Sequence, residues 1–211
     1  MEASQDIGHF IENLRATDHV ILFYDNLEDK NNVLFKFFSD GLAHGKGIVY
    51  VYSEETLENI RNRMISFDIN LLEAEKQQKL VIRRFDEWYI VNGQVEVLRI
   101  LSLWKDAFEE FRKRGFGLRI AGDMACFFKH KKVRELLRYE YSFTKKVIEI
   151  PVEAICAYNV NTIVETGYSE TIMPLIRAHG WAIFTGPRGI MLYKPENIGK
   201  DDIEELLKIK I

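Results

Sequence analysis

The sequence is poor in cysteine and proline: of 211 residues, two are Cys and four are Pro. Cys126 and Cys156 are too few for a disulfide framework and have neither CxxC nor zinc-ligand spacing, so they read as reduced core thiols in a cytoplasmic protein. No stretch approaches the roughly 20 apolar residues of a membrane span. Residues 1–6 lack the basic segment and apolar run of a secretory signal. An excess of positive charge is missing too. Lys and Arg number 29 against 32 Asp and Glu, a net charge of −3, so no overall field attracts a polyanion. Nucleic-acid binding would have to be local, and the basic cluster Lys129, His130, Lys131, Lys132 and Arg134 reads first as a solvated helix start.

The usual catalytic signatures are also missing. No G-x-S-x-G elbow surrounds a serine, and neither cysteine has an evident histidine partner. His9, His19, His44, His130 and His179 are scattered without an HxH or HExxH pair, which predicts no metal cluster. A phosphate-cradling loop needs glycines after a strand, whereas Tyr24-Asp25-Asn26-Leu27-Glu28-Asp29-Lys30 has none and carries three acids. These absences predict no cofactor and no enzyme of a familiar type.

What is present is ordinary globular composition, 47% hydrophobic and 29% charged, enough to bury a self-sufficient core within one domain, residues 1–211. Ile7, Phe10, Ile11 and Leu14 follow helical spacing, predicting an amphipathic N-terminal helix within residues 1–16. Short apolar runs predict strands at His19–Tyr24, Gly47–Ser53, Leu80–Phe85, Gly117–Ala121 and Val152–Tyr158. Between them, helical patterns fall at Asn32–Ala43, Glu54–Glu75, from Val97 to a stop at Gly115, and Lys131–Val147, with another near Glu170–Ala178. After His179-Gly180 two short runs flank Gly186-Pro187-Arg188-Gly189, a terminal hairpin, and the chain closes on a surface helix. Strands alternating with helices predict a three-layer α/β fold, a mainly parallel sheet with an antiparallel C-terminal hairpin.

Such sheets bind ligands at the carboxyl ends of their strands. Acids and aromatics gather there: Tyr24, Glu54 and Glu55, Trp88 and Tyr89, Asp123, Cys126 and Tyr158. Taken singly, polar residues at strand ends are helix caps and turn formers. As a group, the aromatics could wall an apolar pocket with Glu54 and Asp123 orienting a polar group, and Glu54, Glu55 and Asp123 could hold a divalent ion.

His19, Leu22-Phe23-Tyr24, Gly41-Leu42, Val49-Tyr50-Val51, Trp88-Tyr89, Gly122-Asp123-Met124, Tyr139-Glu140, Cys156-Ala157-Tyr158 and His179 together resemble the MEDS sensory domain of methanogens, methylotrophs and the regulator DcmR. The resemblance covers about residues 17–185, leaving 186–211 for a hairpin strand and a C-terminal helix. It implies a RecA-like or KaiC-like fold in which Glu54 and Glu55 match catalytic acids and Asp123 matches a magnesium-assisting acid. With no phosphate loop, these acids resemble vestiges. It further implies a non-catalytic sensor of an unidentified small molecule, signalling to a histidine kinase or transcription regulator; with little sequence outside the match, a stand-alone sensor is expected, its N-terminal and C-terminal helices offering surfaces for self-association or for a signalling partner. The rival is a degenerate nucleotide-binding protein or ATPase with an altered phosphate site.

Overall fold

The computed structural model describes residues 7–186 and 189–210. Seven strands form its single sheet: β1 (His19–Tyr24), β2 (Gly47–Tyr52), β3 (Leu80–Arg84), β4 (Leu118–Asp123), β5 (Glu153–Asn159), β6 (Trp181–Phe184) and β7 (Met191–Tyr193). Their order is β3-β2-β4-β5-β1-β6-β7, every pairing parallel except β6 with β7. The helices are α1 (Ile7–Glu12), α2 (Leu27–Ala43), α3 (Leu57–Ser66), α4 (Leu71–Lys76), α5 (Phe85–Trp88), α6 (Val97–Lys113), α7 (Ala125–Lys129), α8 (Val133–Lys146), α9 (Val160–Glu165), α10 (Ile172–Arg177) and α11 (Lys200–Leu207).

The strands are short apolar runs because both faces of the sheet are covered. Every residue of β1, β2 and β4 is buried. Alternate side chains divide between two apolar layers. Val20, Leu22, Tyr24 and Tyr50 pack with α2, α3 and α4, while Ile21, Phe23, Ile120 and Cys156 pack with α6, α8 and α10. In α6 the residues at helical spacing, Val97, Leu101, Trp104, Phe108 and Phe111, face the core, the last four buried and Val97 partly so. Each such side chain contributes about 1.5–3 kcal/mol of burial free energy.

Several boundaries differ from the sequence expectation. Helix α2 starts five residues before Asn32, because the Asn26 side chain accepts a 2.9 Å hydrogen bond from the Asp29 N–H and caps it, with Glu28 and Asp29 favourably placed in the first turn. Strand β4 continues past Ala121, so Asp123 pairs with Ala157 inside the sheet rather than following it. The helical stretch 54–75 divides into α3 and α4, with Asp68 in the left-handed region (φ 58°) between them. Three short helices, α5, α7 and α9, turn the chain just after strand ends. The closing helix α11 is more than a surface element, since Ile203 is fully buried. The Asn92–Gly93 turn is present, both residues at positive φ and Val91 bridged to Gln94. At the terminal hairpin, Pro187 and Arg188 lie outside the described residues.

Candidate functional site

At the carboxyl end of the sheet, on the face covered by α2, Asp123 at the end of β4 and Glu55 just after β2 flank one buried cation, with Glu54 beside them. Lys30, in the second turn of α2, is fully buried and lies 3.1 Å from Glu55 Oε2 and 3.2 Å from Asp123 Oδ2. Burial opposes its charge, but Asp123, Glu55 and Glu54 outweigh burial and hold its pKa above the ordinary lysine value. Asp123 also accepts from the Tyr50 hydroxyl and from the Ser53 N–H, each at 3.1 Å. Glu55 accepts from Asn31 Nδ2 at 3.1 Å and faces Arg63 at 3.4 Å. Glu54 accepts from the Tyr24 hydroxyl and from Asn159 Nδ2 (3.0 Å), with Lys129 3.7 Å away.

Three carboxylates thus meet three cations and a ring of neutral donors. Burial, then the nearby acids, pushes the Tyr24 and Tyr50 hydroxyls well above the usual phenol value, so both stay protonated and donate. Ser53 Oγ and Asn31 Oδ1 are buried beside this network without a hydrogen-bond partner.

The sequence reading missed Lys30, although the spacing contained it. In G-x-x-x-x-G-K-[ST] the lysine stands six residues after the first glycine. Counted from Tyr24, that position is Lys30, with Asp29 in place of the second glycine and Asn31 in place of Ser/Thr. The loop itself is gone, because α2 begins at Leu27, directly after Asn26, where a cradle of free N–H groups would have to stand, and the Asp29 N–H is already taken by the Asn26 side chain. A lysine that would reach phosphate in such a loop here reaches two carboxylates of its own chain.

The seven residues predicted to share a pocket separate onto two faces. Tyr24, Glu54 and Asp123, with Glu55, meet in the network above. Trp88, Tyr89, Cys126 and Tyr158 belong to the apolar layer on the other face. Helix α5 folds Trp88 and Tyr89 inward. There the Trp88 ring lies 4.7 Å from that of Trp104, and Tyr89 packs on Phe127 at 5.3 Å and on Tyr139 at 5.8 Å. The Cys126 thiol points at the Asp123 carbonyl oxygen, 3.7 Å away, and burial pushes its pKa well up, so it is an inert core thiol. Tyr158 donates to Glu140 on α8. Beside the predicted rim lies an open cleft of about 440 Å³ between the ends of β1 and β6, α9 and α11, lined by Asp25, Val160, Asn161, Val164, Thr185 and Leu206 among others.

Compared with known proteins, the chain matches over residues 18–179 the family model described as the MEthanogen/methylotroph, DcmR Sensory domain. The chain belongs to the MEDS family. Among solved structures it is similar to a KaiC-like protein from the hyperthermophilic archaeon Pyrococcus horikoshii, with a TM-score of 0.58 and 16% identity, over 84% of this chain and 90% of that one. No curated protein matches it. The MEDS fold here is therefore RecA-like and KaiC-like. Among the described residues, no helix is long and apolar enough to cross a membrane.

Proposed function

We propose that this MEDS domain is a non-catalytic small-molecule sensor whose ligand sits at the carboxyl ends of β1, β5 and β6. The observation that carries the reading is the Lys30 ammonium lodged between Glu55 and Asp123. A nucleotide-hydrolysing site of this architecture needs those acids for a metal ion and a water, and a lysine for phosphate. Here each cancels the other, and freeing them would expose buried charge at a cost of several kcal/mol.

The cleft of about 440 Å³ falls in the size range of small-molecule sites. Val160, Val164 and Leu206 offer apolar walls, and Asp25 and Asn161 offer polar contacts, the Asn161 amide being fixed by a 3.0 Å bond to the Asp25 carbonyl oxygen. Tyr24, Glu54 and Asp123 hold the adjoining strand ends in place. Because α11 forms one wall, a ligand that binds better with α11 in one position shifts the surface offered to a partner, a histidine kinase or a transcription regulator.

A thermal-shift series with dichloromethane, methylated one-carbon compounds and magnesium nucleotides tests this, run on the wild type and on Val164→Trp, which fills the cleft from a partly exposed position. The expected result is a small-molecule shift that Val164→Trp abolishes, with nucleotides silent. A magnesium-dependent nucleotide shift would overturn the reading in favour of nucleotide binding. A small-molecule shift that survives Val164→Trp would move the ligand out of the cleft.

A further inference from the structure

On the opposite face of the sheet, four side chains with metal-ligand chemistry converge. His19 opens β1, Cys156 lies mid-way along β5, Glu140 comes from α8 and His179 precedes β6. All four are buried, and one ligand atom from each lies within 4.8 Å of the others. His19 Nε2 is 3.3 Å from Cys156 Sγ and 3.3 Å from Glu140 Oε2. Glu140 Oε2 is 3.8 Å from Cys156 Sγ and 3.6 Å from His179 Nε2. A tetrahedral ion with bonds of about 2.0–2.3 Å separates its ligand atoms by about 3.3–3.8 Å. Four of the six edges fall in that range, and the whole set lies within 4.8 Å.

The surroundings fix the imidazoles as ligands. His179 Nδ1 lies 2.7 Å from the Leu175 carbonyl oxygen, which can only accept, so Nδ1 carries the proton and Nε2 presents a lone pair. His19 Nδ1 lies 2.9 Å from the Thr144 hydroxyl, whose own proton goes to the carbonyl oxygen of Ala178 or Glu140. His19 therefore also donates from Nδ1 and turns its Nε2 lone pair inward. Ring N–H groups anchored to carbonyls and hydroxyls in this way are the usual second layer around metal-binding histidines. Burial lowers both histidines to about 3, so both are neutral at neutral pH. Tyr158 holds the other Glu140 oxygen, Oε1, leaving Oε2 to face the cluster. His179 Nε2 is buried with no hydrogen-bond partner, Glu140 Oε2 standing 3.6 Å away.

We propose that His19, Glu140, Cys156 and His179 bind one divalent transition-metal ion, Zn²⁺ the best match, in a closed tetrahedral site. Two imidazoles, a thiolate and a carboxylate suit zinc, and four protein ligands leave no open position, so the ion is structural. On binding, the Cys156 S–H bond breaks, the proton leaves to solvent and sulfur forms the metal bond. Thiolate and carboxylate together neutralise the two positive charges. The ion ties β1 and β5 to α8 and to the turn before β6. Because the ligands are buried, loading accompanies folding. The site is independent of the sensor reading, lying on the other face of the sheet.

The full chain, produced in zinc- or cobalt-supplemented medium, tests this by metal content and by native mass spectrometry. The expected result is one ion per chain. The cobalt form should show a thiolate-to-metal charge-transfer band and the intense visible bands of tetrahedral geometry. Cys156→Ser should remove the charge-transfer band and His179→Gln should lower retention against a competing chelator. Thr144→Val, which leaves all four ligands in place, should weaken retention about 10- to 100-fold. A folded chain without stoichiometric metal, a cobalt spectrum without the thiolate band, or retention indifferent to both Thr144→Val and His179→Gln would overturn the proposal. Should Cys156→Ser fail to fold, the wild-type cobalt spectrum and the Thr144→Val retention decide the matter.

Discussion

Replacing Lys30 with Met removes the ammonium from between Glu55 and Asp123 while keeping the length of its side chain. Breaking a buried pair by deleting one partner costs about 3–5 kcal/mol. Asp123 would keep the Tyr50 hydroxyl and the Ser53 N–H, and Glu55 would keep Asn31 and Arg63, so the lower end applies, about 3 kcal/mol. In a chain of this size that lowers Tm by about 6–12 °C. With a slope of about 2–3 kcal/mol/M, it moves the urea midpoint down by about 1–1.5 M. Urea titration followed by tryptophan fluorescence measures the shift directly. Adding Asp123→Asn should recover more than half of the loss, because the buried charge goes while the shape remains. The Lys30 pKa is raised in the folded state, so its contribution is complete below the ordinary lysine value near 10.5 and is lost as pH rises through the folded value. The gap between wild type and Lys30→Met should therefore hold from neutral pH to about 10 and narrow above it. A midpoint unchanged by Lys30→Met, or a double variant no more stable than the single one, would refute the reasoning.

Four other substitutions probe the frame. A Cβ at Gly122 would lie 2.1 Å from the Tyr89 hydroxyl oxygen and 3.0 Å from Met124 Cε, so Gly122→Ala should destabilise by about 1–3 kcal/mol. Tyr89→Phe removes the nearer obstacle, and a double-mutant cycle should show coupling of at least about 0.5 kcal/mol between the two positions. Arg119 is buried against Asp40 (2.7 Å) and Glu153 (2.5 Å) and donates to the carbonyl oxygens of Phe37 and Ile11. Arg119→Met should cost about 3–5 kcal/mol by urea titration and speed hydrogen exchange in α1, whose Ile11 carbonyl it holds. The Trp104 indole N–H donates to the Tyr139 hydroxyl at 2.9 Å in the core, so Tyr139→Phe should cost about 1–3 kcal/mol and alter the near-ultraviolet dichroism.

The sheet was legible because β1, β2 and β5 are apolar on both faces and so stand out as uninterrupted runs. The stripe of α6 was equally plain. The start of α2 was not, since Leu27-Glu28-Asp29-Lys30-Asn31 looks like a polar turn until the Asn26 cap is seen. Locally, Lys30 looks exposed; its partners come from β4 and from the segment after β2, so its burial is a property of the assembled sheet. Trp88 and Tyr89 do follow a strand end, but the single turn of α5 sends them into the core instead of over the rim. The histidines read as scattered because His19 and His179 stand at opposite ends of the family match. Parallel pairing of β1 with β5 and with β6 brings both to the amino-terminal end of adjacent strands. No spacing rule captures a neighbourhood made by the crossovers between β1 and β6.

The order β3-β2-β4-β5-β1-β6-β7 leaves β3 and β7 as the two outer strands. An outer strand offers unpaired N–H and C=O groups, an invitation to a neighbouring chain. Here β3 ends on exposed Arg83 and Arg84, and β7 is only three residues long. The exposed arginines keep the end of β3 hydrated, and β7 gives too few rungs to hold a guest strand. Extending the sheet from molecule to molecule is thus discouraged at both margins. What the two margins withhold, the helical faces still offer: surface on which contact can be made and broken without threatening the fold.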